Sequence, residues 1–185
     1  MLLELLSHQN FADMRYGLDP SFRFDVSRAI YKGILRYLSS QYDVEYTVQP
    51  LSVNSFAIDL DGNTAELSWC ATTDALEPSA APDYYILYTR IGDGGFDCGR
   101  RIDATTTTLT LESGVRYSFR ITAVNRGGES FDSETLSAYV AKNSRGTVMI
   151  VNGFDRVAAP MSQQSDSIAG FFNRYDSGVA HIQDI

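Results

Sequence analysis

The sequence predicts a mainly β protein whose central hundred residues form a sandwich of two antiparallel sheets. Three segments with period-two alternation carry this prediction, at residues 65–69, 84–88 and 117–123. Successive side chains of a strand point to opposite faces, so this spacing indicates strands with one buried face. In the last segment the apolar and polar residues fall on opposite faces. One face carries Tyr117, Phe119, Ile121 and Ala123, and the other carries Ser118, Arg120 and Thr122. β-Branched and aromatic residues dominate, as half-buried strands favour.

The remaining strands follow in order, separated by turn residues. Val53, Phe56 and Ile58 predict the first strand, and Leu67 and Trp69 share the buried face of the second. The other predicted features are a turn at 59–63, a loop at 72–83 with Pro78 and Pro82, a turn at 92–95, a strand at 105–111 with Leu109 and Leu111 inward, and a last strand near Leu136, Ala138 and Val140. Short strands at this spacing are typical of a sandwich.

Several of these segments resemble the fibronectin type III module. Trp69 matches its strand-B tryptophan, Leu111 and Tyr117 match its leucine and tyrosine corner, and residues 125–130 resemble its last inter-strand loop. The resemblance implies a fibronectin type III, immunoglobulin-like β-sandwich over about 46–142. It implies an architecture used mostly for spacing and binding, and it does not specify a reaction.

A helix is predicted before the sandwich. Residues 1–6 form a short apolar run and residues 7–18 are polar and loop-like, whereas Asp19-Pro20 predicts a helix start. About 20 helical residues follow, with an apolar stripe of Phe22, Val26, Ala29, Ile30, Gly33, Ile34, Tyr37 and Leu38. Such a stripe must be buried, so we expect it to pack on the sandwich or to form a homodimer.

This N-terminal region, 1–42, resembles the C-terminal end of zinc-dependent N-acetylmuramoyl-L-alanine amidases. The resemblance lies in residues 4–10, 19–22 and 27–34. It implies a last sheet strand carrying Glu4 as the general base beside a zinc-bound water. The zinc ligands of that family lie upstream of this region, and the chain has only His8 and His181. We therefore expect zinc and activity only in an intact parent, and no metal or cofactor site in this chain.

The C-terminal region, 146–185, is predicted to begin a following domain. After a linker at 143–146, the apolar run 147–151 predicts a strand buried on both faces, as at the start of an α/β domain. A helix is predicted around 168–173. The order of the three regions resembles multidomain cell-wall and polysaccharide-processing proteins of Bacteroidetes-type bacteria. This implies a periplasmic or secreted protein, although residues 1–6 lack the basic leader of a signal peptide.

The composition of the chain limits the kinds of partner that it can bind. The net charge of −8 disfavours nucleic acid, because few cations are available to replace the counterions of a phosphate backbone. No apolar run reaches membrane-spanning length. Cys70 and Cys98 fall on different parts of the predicted sandwich, and we expect two unpaired thiols.

Three functions remain open from the sequence. The favoured one is a non-catalytic module that spaces and docks flanking domains of a cell-wall hydrolase. The second is a module that binds peptidoglycan or another polysaccharide, since Tyr84, Tyr88, Phe96 and Phe131 could stack on sugar rings if they face outward. Packing of these rings within the protein is the favoured alternative. The third is a fragment of an active zinc amidase that uses Glu4.

Two acidic segments and two histidines are candidate metal ligands, but their sequence patterns are only weakly specific for a metal site. Residues 59–63 and 93–97 resemble calcium loops superficially, but they lack the glycine and glutamate positions of an EF-hand. Tight turns explain both segments. His8 and His181 are isolated in sequence, which favours loop positions over metal ligation.

Overall fold

The computed structural model describes residues 4–17, 19–151, 162–164 and 169–171. The chain divides into two compact units. Ser39–Val148 forms one, and Met1–Leu38 with Met149–Ile185 forms the other. All strands of the predicted sandwich lie in Ser39–Val148. Neither described helix is long and apolar enough to cross a membrane.

Ser39–Val148 contains two antiparallel sheets. Its strands are β1 Asn54–Asp61, β2 Thr64–Cys70, β3 Tyr84–Ile91, β4 Arg100–Ile102, β5 Thr106–Thr110, β6 Arg116–Asn125, β7 Gly128–Glu129 and β8 Leu136–Tyr139. One sheet has three strands in the order β1-β2-β5. The other has five, in which β4 pairs with β3, β3 with β6, and β6 with both β7 and β8. This topology confirms the predicted β-sandwich.

The two sheets share one apolar core. Trp69 is 3% exposed, and its ring meets Phe56 and Tyr85 edge-on at centroid distances of 6.5 and 5.5 Å. Leu67 on β2 and Phe119 on β6 are fully buried between the sheets. Edge-to-face rings add specific attraction to the burial of their apolar surface. The inward residues predicted from period-two alternation are therefore confirmed.

A tyrosine corner closes the loop before β6. The Tyr117 hydroxyl accepts a hydrogen bond from the Glu112 N–H at 3.4 Å, and Leu111 is buried beside it. The Asn63 side chain donates to the Leu111 carbonyl at 2.8 Å, which ties the β1–β2 turn to the same loop. Both residues matched to the leucine and tyrosine of this motif thus occupy the expected positions.

Tyr117→Phe is expected to lower the free energy of unfolding by about 1 kcal/mol, because the Glu112 amide loses its acceptor while the stacked ring remains. Tyr139→Phe is the matched control, since Tyr139 lies exposed on β8. Urea denaturation followed by circular dichroism measures both variants. Equal midpoints for the two would show that the corner contributes nothing.

The outer face of β6 differs from the prediction. Ser118 and Thr122 were assigned to a solvent face, but both are buried. β6 is the central strand of its sheet, so neighbours flank it on both sides. Long side chains from β3 and the following turn also lie over this face, as described below. Polar residues can be buried here because hydroxyl groups find partners within that cover.

The N-terminal region contains two helices, α1 Phe11–Gly17 and α2 Pro20–Tyr42. The prediction of a loop over 7–18 is wrong for α1. The Asn10 side chain caps this helix by accepting from the Ala12 N–H at 2.9 Å, and Asp13 lies in its first turn. Residues 4–6 form no strand. They lie on exposed, irregular backbone, and pairing would require a neighbouring strand.

Helix α2 begins where Asp19-Pro20 predicted. Its apolar stripe is buried only in part: Phe22, Val26 and Ile30 are half-buried, whereas Ala29, Gly33, Ile34, Tyr37 and Leu38 are exposed. Within the described residues the stripe is therefore covered only in part, and its packing on the sandwich or in a homodimer stays a prediction. An amphipathic pattern specifies which face is apolar, but it does not specify what covers that face.

The C-terminal predictions are also corrected. Residues 148–151 form no strand, and their side chains are 75–89% exposed. A strand buried on both faces needs neighbours on both sides, and the described residues provide none. Ala169–Phe171 forms a strand, β10, paired with β9 Ser162–Gln164, where a helix was predicted. Gly170 disfavours a helix there. The rest of the predicted helix and α/β domain lies outside the described residues.

Candidate interaction surface

The predicted catalytic residue, Glu4, lies on the surface of the described structure. Glu4 is exposed, as is His8, and His181 lies outside the described residues. Within the part of the chain that the structure describes, no group of three His, Cys, Asp or Glu side chains could hold a metal ion. The role of Glu4 in an intact parent stays a prediction.

Both cysteines are free thiols on the surface, as expected. Cys70 ends β2 and faces away from the core, while Cys98 lies in the loop before β4. Burial first, and then the electrostatic effect of the nearby Cys70, raise the pKa of the Tyr85 hydroxyl above its ordinary value.

The two acidic segments form turns, as predicted. Gly62 adopts a positive φ of 58° between β1 and β2. Asp97 Oδ1 accepts from the N–H groups of Thr89 and Gly99, both at 3.0 Å, and Asp93 pairs with Arg116. These carboxylates therefore organise backbone and neutralise an arginine.

Four side chains form a packed layer on the outer face of the five-stranded sheet. We call Tyr88, Arg90, Phe96 and Arg120 the outer layer. The Arg120 guanidinium lies 4.3 Å from the Phe96 ring centroid and 5.1 Å from that of Tyr88, and Arg90 lies 5.0 Å from Phe96. Each contact is a cation–π attraction. The Nε atoms of both arginines are buried without hydrogen-bond partners among the described residues.

Hydroxyl and carboxylate groups complete the layer. Glu129 Oε1 accepts from the Tyr88 and Thr122 hydroxyls, both at 2.6 Å. Asp132 forms a 2.6 Å ion pair with Arg120. Arg90 Nη2 donates to the Ser118 hydroxyl at 3.3 Å. These contacts explain why hydroxyl side chains are buried on β6, and they leave the layer largely satisfied by its own groups.

The layer perturbs the Tyr88 hydroxyl. Burial first, and then the hydrogen bond to the Glu129 carboxylate, raise the pKa of Tyr88 from 10.0 to about 12. The folded state therefore holds this proton more tightly than the unfolded state. Its stabilising contribution is complete below pH 10 and is lost as the pH rises through 12.

Tyr88→Phe is accordingly expected to flatten the stability profile at high pH. Between pH 10 and 12 the wild-type free energy of unfolding should fall more steeply than that of the variant, which lacks this ionisation. Guanidinium denaturation at several pH values measures the slopes. Parallel profiles for the two proteins would contradict the assigned pKa shift.

The layer also limits what the surface aromatics can bind. Arg120 lies over Tyr88 and Phe96, and Arg101 lies 4.0 Å from the Tyr84 ring centroid. A sugar that stacked on those covered ring faces would have to displace a guanidinium group. The Phe131 side chain is 62% exposed. Packing against an arginine thus accounts for Tyr84, Tyr88 and Phe96.

A second cluster fixes the segment that leads into the sandwich. We call residues 46–50 the lead-in segment. Asn125, buried at the end of β6, donates from Nδ2 to the carbonyls of Val48 at 2.9 Å, Ser79 at 3.1 Å and Ala81 at 3.1 Å. The Val48 N–H in turn donates to the Ser79 hydroxyl at 3.2 Å. One amide therefore joins the lead-in segment, the β2–β3 loop and β6.

Close backbone packing reinforces this attachment. A Cβ atom at Gly127 would lie 2.3 Å from the Thr47 oxygen and 2.8 Å from the Gln49 nitrogen. Only glycine permits the β6–β7 turn to approach the lead-in segment so closely. The turn is also held by the Gly127 N–H, which donates to Asn125 Oδ1 at 2.8 Å.

The backbone just before the lead-in segment has a defined helix end. Asp43 adopts a positive φ of 51°, and the Val44 N–H donates to the Ser39 carbonyl at 3.3 Å. This is the hydrogen bond of a Schellman cap. The Ser39 hydroxyl also donates to the Val44 carbonyl. Residues 43–45 therefore connect the capped end of α2 to the lead-in segment, and each of these two segments is fixed by its own hydrogen bonds.

Sequence reasoning missed both clusters. The resemblance placed Asn125 in a loop. A buried amide at the end of a central strand requires hydrogen-bond partners, and such partners join that strand to neighbouring segments. The arginines of β3 and β6 alternate with apolar residues, as ordinary solvent-facing residues do. Their partners lie far apart in sequence, and period-two alternation does not identify them.

No family model matches the chain, and no curated protein matches it. Similar solved structures include the twitchin kinase region from C. elegans, with 24% identity and a TM-score of 0.46 over 54% of this chain and 18% of that one. Another is a structure named FN3tt mut, with 23% identity and a TM-score of 0.42 over 50% and 98% of the two chains. The third fibronectin III domain of human KIAA0343 protein has 14% identity and a TM-score of 0.43 over 57% and 93%.

The fold class is defined by the chain's own strands. A fibronectin type III, immunoglobulin-like sandwich has this strand order and a tyrosine corner. Here one sheet is β1-β2-β5, and the other is β4-β3-β6 with β7 and β8.

Proposed function

We propose that the chain is a non-catalytic fibronectin type III module that spaces and docks flanking domains of a secreted or periplasmic cell-wall hydrolase. The observation that carries this proposal is the attachment of the lead-in segment through Asn125 and Gly127. A spacer can hold its flanking domains at defined positions only when the chain enters the spacer at a fixed point. A loosely tethered module would behave as a flexible linker.

The outer layer supports the same proposal. Its arginines, carboxylates and hydroxyls bind one another on a sheet surface. Catalytic groups, in contrast, usually converge on a cleft that a substrate can enter. The described part of the sandwich is thus organised for stability, which fits a module whose partners are other domains.

The flanking domains follow from the resemblance at the N-terminus. The parent is proposed to be an N-acetylmuramoyl-L-alanine amidase-like enzyme, in which upstream residues hold zinc and Glu4 serves as the base. Residues 146–185 would begin the next domain. The exposed stripe of α2, including Ile34, Tyr37 and Leu38, would contact a flanking domain or the same helix of a second copy.

A peptidoglycan hydrolysis assay tests the non-catalytic role. The purified chain, with and without added zinc, should release no new amino groups from peptidoglycan. Zinc-dependent release that Glu4→Gln abolishes would overturn the proposal and would establish a fragment of an active amidase. Glu112→Gln, at another exposed carboxylate, is the matched control.

A carbohydrate-binding module is the second candidate, and the exposure of Phe131 favours it. Retention of the chain on insoluble peptidoglycan, lost in Phe131→Ala and kept in Tyr139→Ala, would support binding through a stacked sugar. Tyr139 is the control because it is a similarly exposed ring on β8. Absence of retention at all tested concentrations would leave the spacer role.

A further inference from the structure

Strand β5 has an open backbone edge. The Leu111 N–H donates to the Asn63 carbonyl, and the Thr105 carbonyl accepts from the Trp69 N–H. Backbone groups alternate in direction along an antiparallel strand, so odd-numbered residues here face β2. The N–H and C=O groups of Thr106, Thr108 and Thr110 therefore face the other side. No strand pairs with that side within the described residues.

The other sheet edges carry features that hinder pairing. β1 has a register shift between Asn54 and Ala57, a positive φ of 53° at Ser55, and the carboxylates of Asp59 and Asp61. β4 has only three residues, two of them arginines. β7 has two residues and β8 four. Bulges, charges and shortness are the usual means by which edges avoid association.

β5 has none of these protections. Its sequence is Thr-Thr-Thr-Leu-Thr, without charge or proline, and it pairs with β2 in unbroken register. Thr106, Thr108 and Thr110 are exposed. Arg100 donates to the Thr107 hydroxyl at 3.2 Å, and the backbone groups of Thr107 face β2. The outward-facing groups thus remain accessible.

We propose that this edge pairs with β5 of a second copy of the chain. In an antiparallel pair about a two-fold axis at Thr108, Thr106 of each copy lies opposite Thr110 of the other. Threonine then meets threonine at every outward-facing position, and such pairs favour cross-strand contact. A two-fold axis is also the commonest symmetry of protein dimers.

The charge of the chain restricts where a second copy can pair. The chain carries a net charge of −8, so two copies repel each other over most of their surfaces. Because β5 contains no charged residue, its own side chains add nothing to that repulsion. A five-residue strand buries little area, so the dimer is a weak and concentration-dependent one.

Sedimentation velocity of the full chain over a wide concentration range tests this pairing. The wild type should associate, and Thr108→Lys should weaken the dimer up to about fivefold because it places two like charges opposite each other. Thr108→Val keeps the backbone edge and should associate like the wild type. Thr73→Lys adds the same charge on an exposed loop residue and is the control.

Hydrogen exchange identifies the interface. The amides of Thr106, Thr108 and Thr110 should become protected as the wild-type concentration rises, and those of Thr107 and Leu109 should be protected throughout. A monomer up to millimolar concentration would overturn the proposal. An associated state in which the amides of Thr106, Thr108 and Thr110 still exchange fast would also overturn it. The same holds for association that Leu38→Glu in α2 abolishes and Thr108→Lys leaves intact, because the interface would then involve α2. Capture of an extended peptide by a chain that stays monomeric would overturn the second copy as the occupant.

Discussion

Phe119→Ala is expected to lower the free energy of unfolding by about 3–5 kcal/mol, the range for removing a large aromatic side chain from a packed core. Phe119 is fully buried between the sheets, and its ring lies parallel to that of Tyr117 at 6.2 Å. The substitution removes apolar contacts from both sheets and leaves a cavity that the sandwich cannot close without moving β6. Calorimetric melting measures the loss.

Phe131→Ala is the matched control for that variant. It removes the same atoms from a side chain that is 62% exposed, so we expect a change within about 0.5 kcal/mol. A similar loss in the two variants would mean that the core does not lie where β2 and β6 face each other. A small loss in Phe119→Ala alone would mean that the sheets repack around the cavity.

Asn125→Asp is the second substitution with a large expected effect. It keeps the shape of the side chain but replaces the donating amide with an oxygen that faces the carbonyls of Val48, Ser79 and Ala81. Three carbonyl acceptors, of which that of Val48 is in a buried hydrogen bond, lose their donor, and a carboxylate takes the place of the buried amide, so we expect a loss of roughly 3 kcal/mol at pH 7. Asn143→Asp, on the exposed linker, is the control.

The loss in Asn125→Asp should depend on pH. Burial among carbonyl oxygens raises the pKa of the new carboxyl in the folded state above its unfolded value. The variant is therefore closest to the wild type below the unfolded pKa, and it loses stability as the pH rises through the folded pKa. Urea denaturation at pH 4 and pH 8 compares the two conditions. A pH-independent difference would show that the carboxyl reaches solvent.

The core of the sandwich was predictable because its periodicity is local. Trp69, Leu111 and Tyr117 lie where their spacing placed them, and Asp19-Pro20 marked the start of α2. Burial of one strand face imposes a period of two that a single sequence displays directly. The turn residues between strands were predictable for the same reason, because glycine and aspartate act on their own backbone.

The failures share a different cause. Whether Ser118 and Thr122 are exposed depends on Arg90, which comes from β3, and on Glu129, which comes from β7. Whether the apolar run at 148–151 forms a strand depends on neighbours that its own composition cannot specify. The Asn10 cap of α1 was visible in the sequence, but the short polar segment around it obscured the helix.

The candidate interaction surface was the least predictable part of the molecule. Tyr84, Tyr88 and Phe96 pack against arginines, as the favoured alternative predicted, but the sequence did not identify those arginines as their partners. Asn125 holds together segments that are 44 to 77 residues away in the chain. Such contacts depend on tertiary topology, which residue spacing does not encode.

The position of the single tryptophan gives the protein a built-in optical reporter. Trp69 lies in the centre of the sandwich, and no other indole is present in the chain. Its emission therefore follows the opening of Ser39–Val148 alone, and Met1–Leu38 and Met149–Ile185 contribute no indole signal. Comparing that emission with far-ultraviolet ellipticity would separate the unfolding of one unit from that of the other without any added label.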